Sequence, residues 1–226
     1  MSAVMPSTEP QGVRGRRVTD SATRLTHGLM ALSFALAWLT GDTERWRDVH
    51  VLSGYTLAAL LLLRLADALW GPRRLSWRQV ARQLGDAARW ALAAWAQLRA
   101  PLPDWMGLAR RAQSVALGAI TAALLLCLPP LLACGWLGDQ DWGPQWLQEA
   151  LLEGHEALAD GALALVGAHL LALLLLSLLR QRNAGAPMLS GRVPGAGPDL
   201  VTQPRHGRAV LIGLAVGLLW CWQWPL

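Results

Sequence analysis

Five stretches of this chain carry no Asp, Glu or Arg: residues 25–41, 49–63, 112–138, 161–179 and 209–226. A helix needs about 20 predominantly apolar residues to cross the hydrocarbon core of a bilayer, with about 17 at the lower end. The second stretch reaches that length only by continuing past Arg64 and Asp67 to Trp70. Five such stretches are too many for a soluble core. The whole chain agrees, being 54% hydrophobic and 15% charged, where soluble domains average about 25% charged. The sequence therefore predicts an all-α membrane protein with spans at about 24–41, 49–70, 112–136 and 154–180. A fifth, C-terminal transmembrane helix follows at 208–225.

Arginine sets the orientation. All 20 basic residues are arginine. Arg14, Arg16, Arg17 and Arg24 lie in or beside the N-terminal tail, and eight more fall between the second and third spans. Arg180, Arg182, Arg192, Arg205 and Arg208 flank the connection between the fourth and fifth spans. Arg45 and Arg47 alone fall on the opposite side, with Arg64 inside the second span. The positive-inside rule then makes the N-terminus cytoplasmic and the C-terminus periplasmic in a bacterial inner membrane. The first apolar run continues through Trp38 and Leu39 after a long tail, so it is read as a span and not a cleaved signal peptide. The basic balance marks a membrane face. It carries no groove-reading motif, and no nucleic-acid partner is expected.

The connecting segments divide by pattern. Residues 1–23 form a cytoplasmic tail. In 76–99, Trp77, Val80, Ala81, Leu84, Ala88, Ala91 and Trp95 recur at spacings of three and four, opposite Arg78, Arg82, Asp86 and Arg89. That pattern predicts an amphipathic helix on the cytoplasmic lipid surface, ended by Pro101 and Pro103. Trp142 to Glu153 is expected to form a shorter interfacial segment outside. Residues 183–207, rich in Gly and Pro, read as a flexible cytoplasmic tether carrying a solvated His206. Pro129-Pro130 is expected to kink the third span.

Polar side chains are scarce in the spans, which draws attention to four histidines. His155 and His169 are 14 residues apart. Fourteen steps of about 100° end about 40° short of four full turns, so both project from one helix face, about 21 Å apart along the axis. His50 opens the second span at the outer rim, level with His155. His27 lies 14 residues before Gly41, at the depth of His169. Two level pairs result: His50 with His155 outside, His27 with His169 inside. Facing imidazoles on neighbouring helices suit bis-histidine ligation of a haem iron, which closes the metal to substrates and favours one-electron transfer. Gly54, one turn after His50, leaves room for a porphyrin edge. Arg64, 14 residues after His50, and Arg24, one turn before His27, suit haem propionates. No C-x-x-C-H occurs, so attachment is expected to be non-covalent. Cys127, Cys134 and Cys221 read as small apolar residues.

With these residues in place, the chain resembles the bacterial cytochrome b561-like proteins, which include the cytochrome b subunit of nickel–iron hydrogenases. The resemblance rests on Arg24-Leu25-Thr26-His27 in the first span and on His50, Gly54, Tyr55 and Arg64 in the second. His155-Glu156 and His169 in the fourth, and Met188 to Gly191 beyond it, complete the match over roughly residues 18–195. His27-Gly28 stands where the family often has His-Trp. Ala112 to Val115 stands where it often has Gly-His-Asn-Pro. The resemblance implies a four-helix haem-binding core holding two b-type haems, with electron exchange between quinone and a periplasmic redox protein such as a cytochrome c or a hydrogenase. A superoxide oxidase, passing electrons to quinone without a protein partner, is the alternative. Arg45 and Arg47, set among outer acids, argue mildly against it.

Overall fold

A computed structural model of the chain describes residues 15–70, 77–101, 104–195, 197–201 and 203–223. Arg14, Arg73, Arg74, Pro103 and the last residues expected in the fifth span lie outside them. The chain separates into two compact units, residues 1–28 with 185–226, and residues 29–184. Helix α1 (Ser21–Thr40) contributes to both.

The larger unit is an antiparallel helical array. A single 3-10 turn (Glu44–Trp46) leads from α1 into α2 (Arg47–Trp70); α3 (Trp77–Gln97), α4 (Trp105–Asp139) and α5 (Gln145–Arg180) follow. Helices α4 and α5 run antiparallel: Leu131 faces His155, and the Cys127 thiol donates to the Leu158 carbonyl at 3.6 Å. Leu57 and Leu61 of α2 pack with Leu128 and Leu131 of α4 and Ala162 of α5. Met30 and Phe34 of α1 pack against that cluster. Ala162 is fully buried; with no side chain beyond Cβ, it lets neighbouring helices approach closely.

Among the described residues, three segments are long and apolar enough to cross a membrane: Glu44–Asp67, Val115–Asp139 and Gln145–Arg180. Helix α1, and α7 (His206–Gln223) in the smaller unit, span 20 and 18 residues. Polar residues dilute the opening turns of both, Thr23, Arg24, Thr26 and His27 in α1 and His206 and Arg208 in α7.

The structure departs from the sequence expectations in two places. Residues 145–153 are not a separate interfacial segment but the first turns of α5, which begins directly after Pro144. Pro at the helix boundary is compatible with its fixed φ. Helix α4 carries Pro129-Pro130, where the kink is expected, inside a single continuous helix. Helix α3 is present at the expected place, and it packs antiparallel against the start of α4 with a face turned away from its apolar stripe. Trp90 Nε1 donates to the Leu108 carbonyl at 3.0 Å, and Gln83 lies over Gly118. Leu84, Leu92 and Trp95 stay exposed. Asp104 caps α4 by accepting from the Gly107 amide at 2.8 Å, while its own amide donates to Gln97.

The second departure is in the smaller unit. The segment read as a plain tether carries α6 (Ala186–Leu189) and β2 (Arg192–Val193), and β2 pairs antiparallel with β1 (Arg16–Arg17) from the tail. The amides of Val18 and Thr19 donate to the Gly191 carbonyl. Gly191 has φ +75, and a Cβ there would lie 2.8 Å from the Thr19 carbonyl oxygen. Only glycine meets both demands without strain. His206 is exposed but not merely solvated, since its Nδ1 lies 2.9 Å from the Ser21 hydroxyl. Leu25 lies beside Gly213, so the first turns of α1 and α7 run in the same direction.

Candidate functional site

The clearest constellation lies where α1, α2, α4 and α5 converge in the larger unit. His50 and His155, expected at one level, meet there with ring centres 6.0 Å apart and planes inclined by 77°. Each Nδ1 is within hydrogen-bond distance of a backbone carbonyl on a different helix, His50 with Ala37 of α1 at 2.8 Å and His155 with Leu131 of α4 at 3.1 Å. A carbonyl can only accept, so Nδ1 of each ring carries the proton and Nε2 keeps its lone pair. Ala37 is within the last turn of α1, where carbonyls lack intrahelical partners, so the His50 ring also caps that helix.

A glycine stands beside each ring, and the contact of His155 depends on its own. A Cβ on Gly135 would lie 2.8 Å from both Cε1 and Nδ1 of His155, and one on Gly41 would lie 3.5 Å from the same atoms of His50. Gly54 opens on empty space, with nothing within 4 Å of where a Cβ would stand. The site is braced at its edge. Arg47 pairs with Asp139 at 2.6 Å, and the Tyr55 hydroxyl donates to the other oxygen of the same carboxylate at 3.2 Å. These contacts fasten the start of α2 to the end of α4.

The other expected residues fall as follows. His169 lies on α5, which continues unbroken from His155. The intervening 14 residues keep the two rings on one face, about 21 Å apart. Its Nδ1 is buried and has no hydrogen-bond partner among the described residues; a buried polar atom in that state calls for a ligand, water or ion to satisfy it. Ala162, fully buried, sits midway along α5 between the two histidines. Arg64 is half-buried on α2. In the smaller unit, His27 is exposed on α1. Arg24 donates to the carbonyls of Leu189 at 2.6 Å and Ser190 at 3.2 Å, which closes the C-terminal end of α6. Sequence reasoning missed Gly135, Asp139 and the target of Arg24. The spacing of Gly41 and Gly135, each four residues after the accepting carbonyl, is visible once the acceptors are known.

The donor set fits an axially ligated haem. His50 and His155 would hold the iron of a haem between them, since the rings lie on different helices with centres 6.0 Å apart and each keeps Nε2 as a donor. Among the described residues no three His, Cys, Asp or Glu side chains gather as a metal-binding group, whereas a structural zinc site uses four ligands and a haem takes two axial ones.

Fold and site together define an all-α membrane protein with a histidine pair clasped inside its helix bundle. The chain belongs to the prokaryotic cytochrome b561 family, whose model matches residues 18–191. No curated protein and no solved structure gave a significant match. Membership implies b-type haem and electron transfer in a membrane.

Proposed function

We propose that the protein is a di-haem cytochrome b of the bacterial inner membrane that relays electrons between a periplasmic redox protein, such as a cytochrome c or a hydrogenase, and the quinone pool. The observation that carries this reading is the His50–His155 pair, with both Nδ1 atoms anchored and both Nε2 atoms left as donors to a metal. Haem bound there supplies reversible one-electron chemistry at an iron closed to substrate.

The chain's own part is to hold and aim the ligands. Hydrogen bonds to Ala37 and Leu131 fix the tautomer and raise the basicity of the ligating nitrogen. Gly54 leaves a space beside His50, and Arg64 is positioned by its 14-residue offset to balance a propionate at the inner level. His27 and His169 are proposed as the inner pair from their equal 14-residue offsets in the sequence, His27 before Gly41 and His169 after His155. The orphaned Nδ1 of His169 supports a liganding role. The positive-inside count supports a cytoplasmic N-terminus, and the exposed Leu92 and Trp95 of α3 suit contact with membrane lipid.

Superoxide oxidation without a partner requires a cation free to attract the anion at the outer haem. Arg47 is already paired with Asp139, which favours the relay. Reduced-minus-oxidised spectra and a pyridine haemochrome assay on the purified protein test the proposal: two b-type haems per chain are expected, and their absence would refute it. Superoxide-driven quinone reduction by the protein alone would favour the oxidase instead.

A further inference from the structure

We propose that Gly135 is a positioning residue for the outer haem ligand His155, and that the Leu131–Gly135 turn of α4 is a socket that sets the orientation of that imidazole. The inference rests on the haem reading given above but adds a residue and a role to it. The Leu131 carbonyl accepts from His155 Nδ1 at 3.1 Å. Gly135 is one helical turn further on, so it presents the same face of α4 to the ring. A Cβ at Gly135 would stand 2.8 Å from Cε1 and Nδ1 and 3.7 Å from Nε2. The Nδ1–Cε1 edge of the ring therefore lies against bare backbone.

Any side chain at position 135 forces a choice. The added Cβ is fixed to the backbone of α4, so the imidazole must turn or α5 must shift. Either movement breaks the bond to Leu131 and re-aims Nε2. The His50 side has the same construction, an accepting carbonyl at Ala37 and a glycine four residues on at Gly41, but a Cβ there would sit at 3.5 Å, an ordinary contact. Gly138, on the same helix as Gly135, has nothing within 4 Å of where a Cβ would lie. The three glycines thus form a graded series: tight, ordinary and open.

The test compares Gly135→Ala, Gly41→Ala and Gly138→Ala in the full-length, haem-loaded protein. Haem content, the midpoint potential of each haem and the low-spin ferric EPR spectrum are read for each, with His155→Ala used to assign the outer signals. Gly135→Ala is expected to shift the potential and EPR signal of the outer haem, or lose that haem, while the inner signals stay. Gly41→Ala should shift the outer signals less, and Gly138→Ala should match the parent. The proposal is overturned if Gly135→Ala keeps the parental outer signals, if it loses both haems together, or if Gly138→Ala disturbs the outer haem equally. A parent protein without haem would instead overturn the proposed function, so the two failures are told apart.

Discussion

The rings of His50 and His155 face each other across 6.0 Å with their planes 77° apart, each tied through Nδ1 to a carbonyl of a third and a fourth helix. Removing either ring removes half of the axial ligation at that level. His50→Ala and His155→Ala are each expected to lose the same haem, halving the haem content measured by pyridine haemochrome. The double variant should resemble either single one. Retention of full haem content in both single variants would refute the pairing.

His169 lies about four helical turns beyond His155 on the same helix, with the fully buried Ala162 between them. Its substitution should leave the outer pair intact. His169→Ala and His27→Ala are expected to lose one and the same haem, and to keep the EPR signal assigned to His50 and His155. If the two variants lost different haems, the inner pairing would be wrong.

Much of this was legible in the sequence because side-chain polarity is so sparing in the spans. A 14-residue offset places His155 and His169 on one face without any knowledge of the neighbours, and the helical period marks α3 in advance. What escaped were relationships carried by backbone. The Leu131 carbonyl has no signature of its own, and Gly135 reads like any small residue between membrane helices. The bond from Arg24 to Leu189 joins residues 165 positions apart, and local pattern offers no sign of such a partner. Trp142 to Glu153 misled for a related reason: acidic residues and tryptophans suggest an interface, yet a helix can carry both through an interface without a break.

Arg24 illustrates how a motif residue can serve structure. Its guanidinium donates to two carbonyls at the end of α6, a forked arrangement that an ammonium group cannot reproduce. Arg24→Lys and Arg24→Ala should both loosen the segment around Leu189 and Ser190, seen as faster limited proteolysis there and faster amide exchange. Hydrogen bonds from charged donors contribute about 1.5–3 kcal/mol, and this exposed setting points to the lower end. Equal proteolysis rates in the parent and both variants would count against the role.

The Arg47–Asp139 pair is more exposed on the arginine side, 55% against 20%, so its own contribution is expected to be about 0.2–1 kcal/mol and to shrink as salt rises. Asp139→Ala should cost more than Arg47→Ala, because it also strips the acceptor from Tyr55. Thermal unfolding in detergent at low and high salt measures both. A larger loss from Arg47→Ala than from Asp139→Ala would contradict the brace.

The hairpin of α3 and α4 gives a direct distance test. Gln83 Cγ lies 3.1 Å from where a Cβ on Gly118 would stand, within reach of a disulfide, whose Cβ atoms are about 3.5–4.5 Å apart. In a chain with Cys127, Cys134 and Cys221 changed to serine, the pair Gln83→Cys and Gly118→Cys should close on mild oxidation. A control pairing Leu92→Cys with Gly118→Cys should not, since Leu92 is more than two turns further along α3 and is exposed. Trp90→Phe, which deletes the donor to the Leu108 carbonyl, should slow the first cross-link modestly, because one neutral hydrogen bond contributes about 0.5–1.5 kcal/mol. If neither pair closed, or the control closed as readily, α3 would not lie along α4.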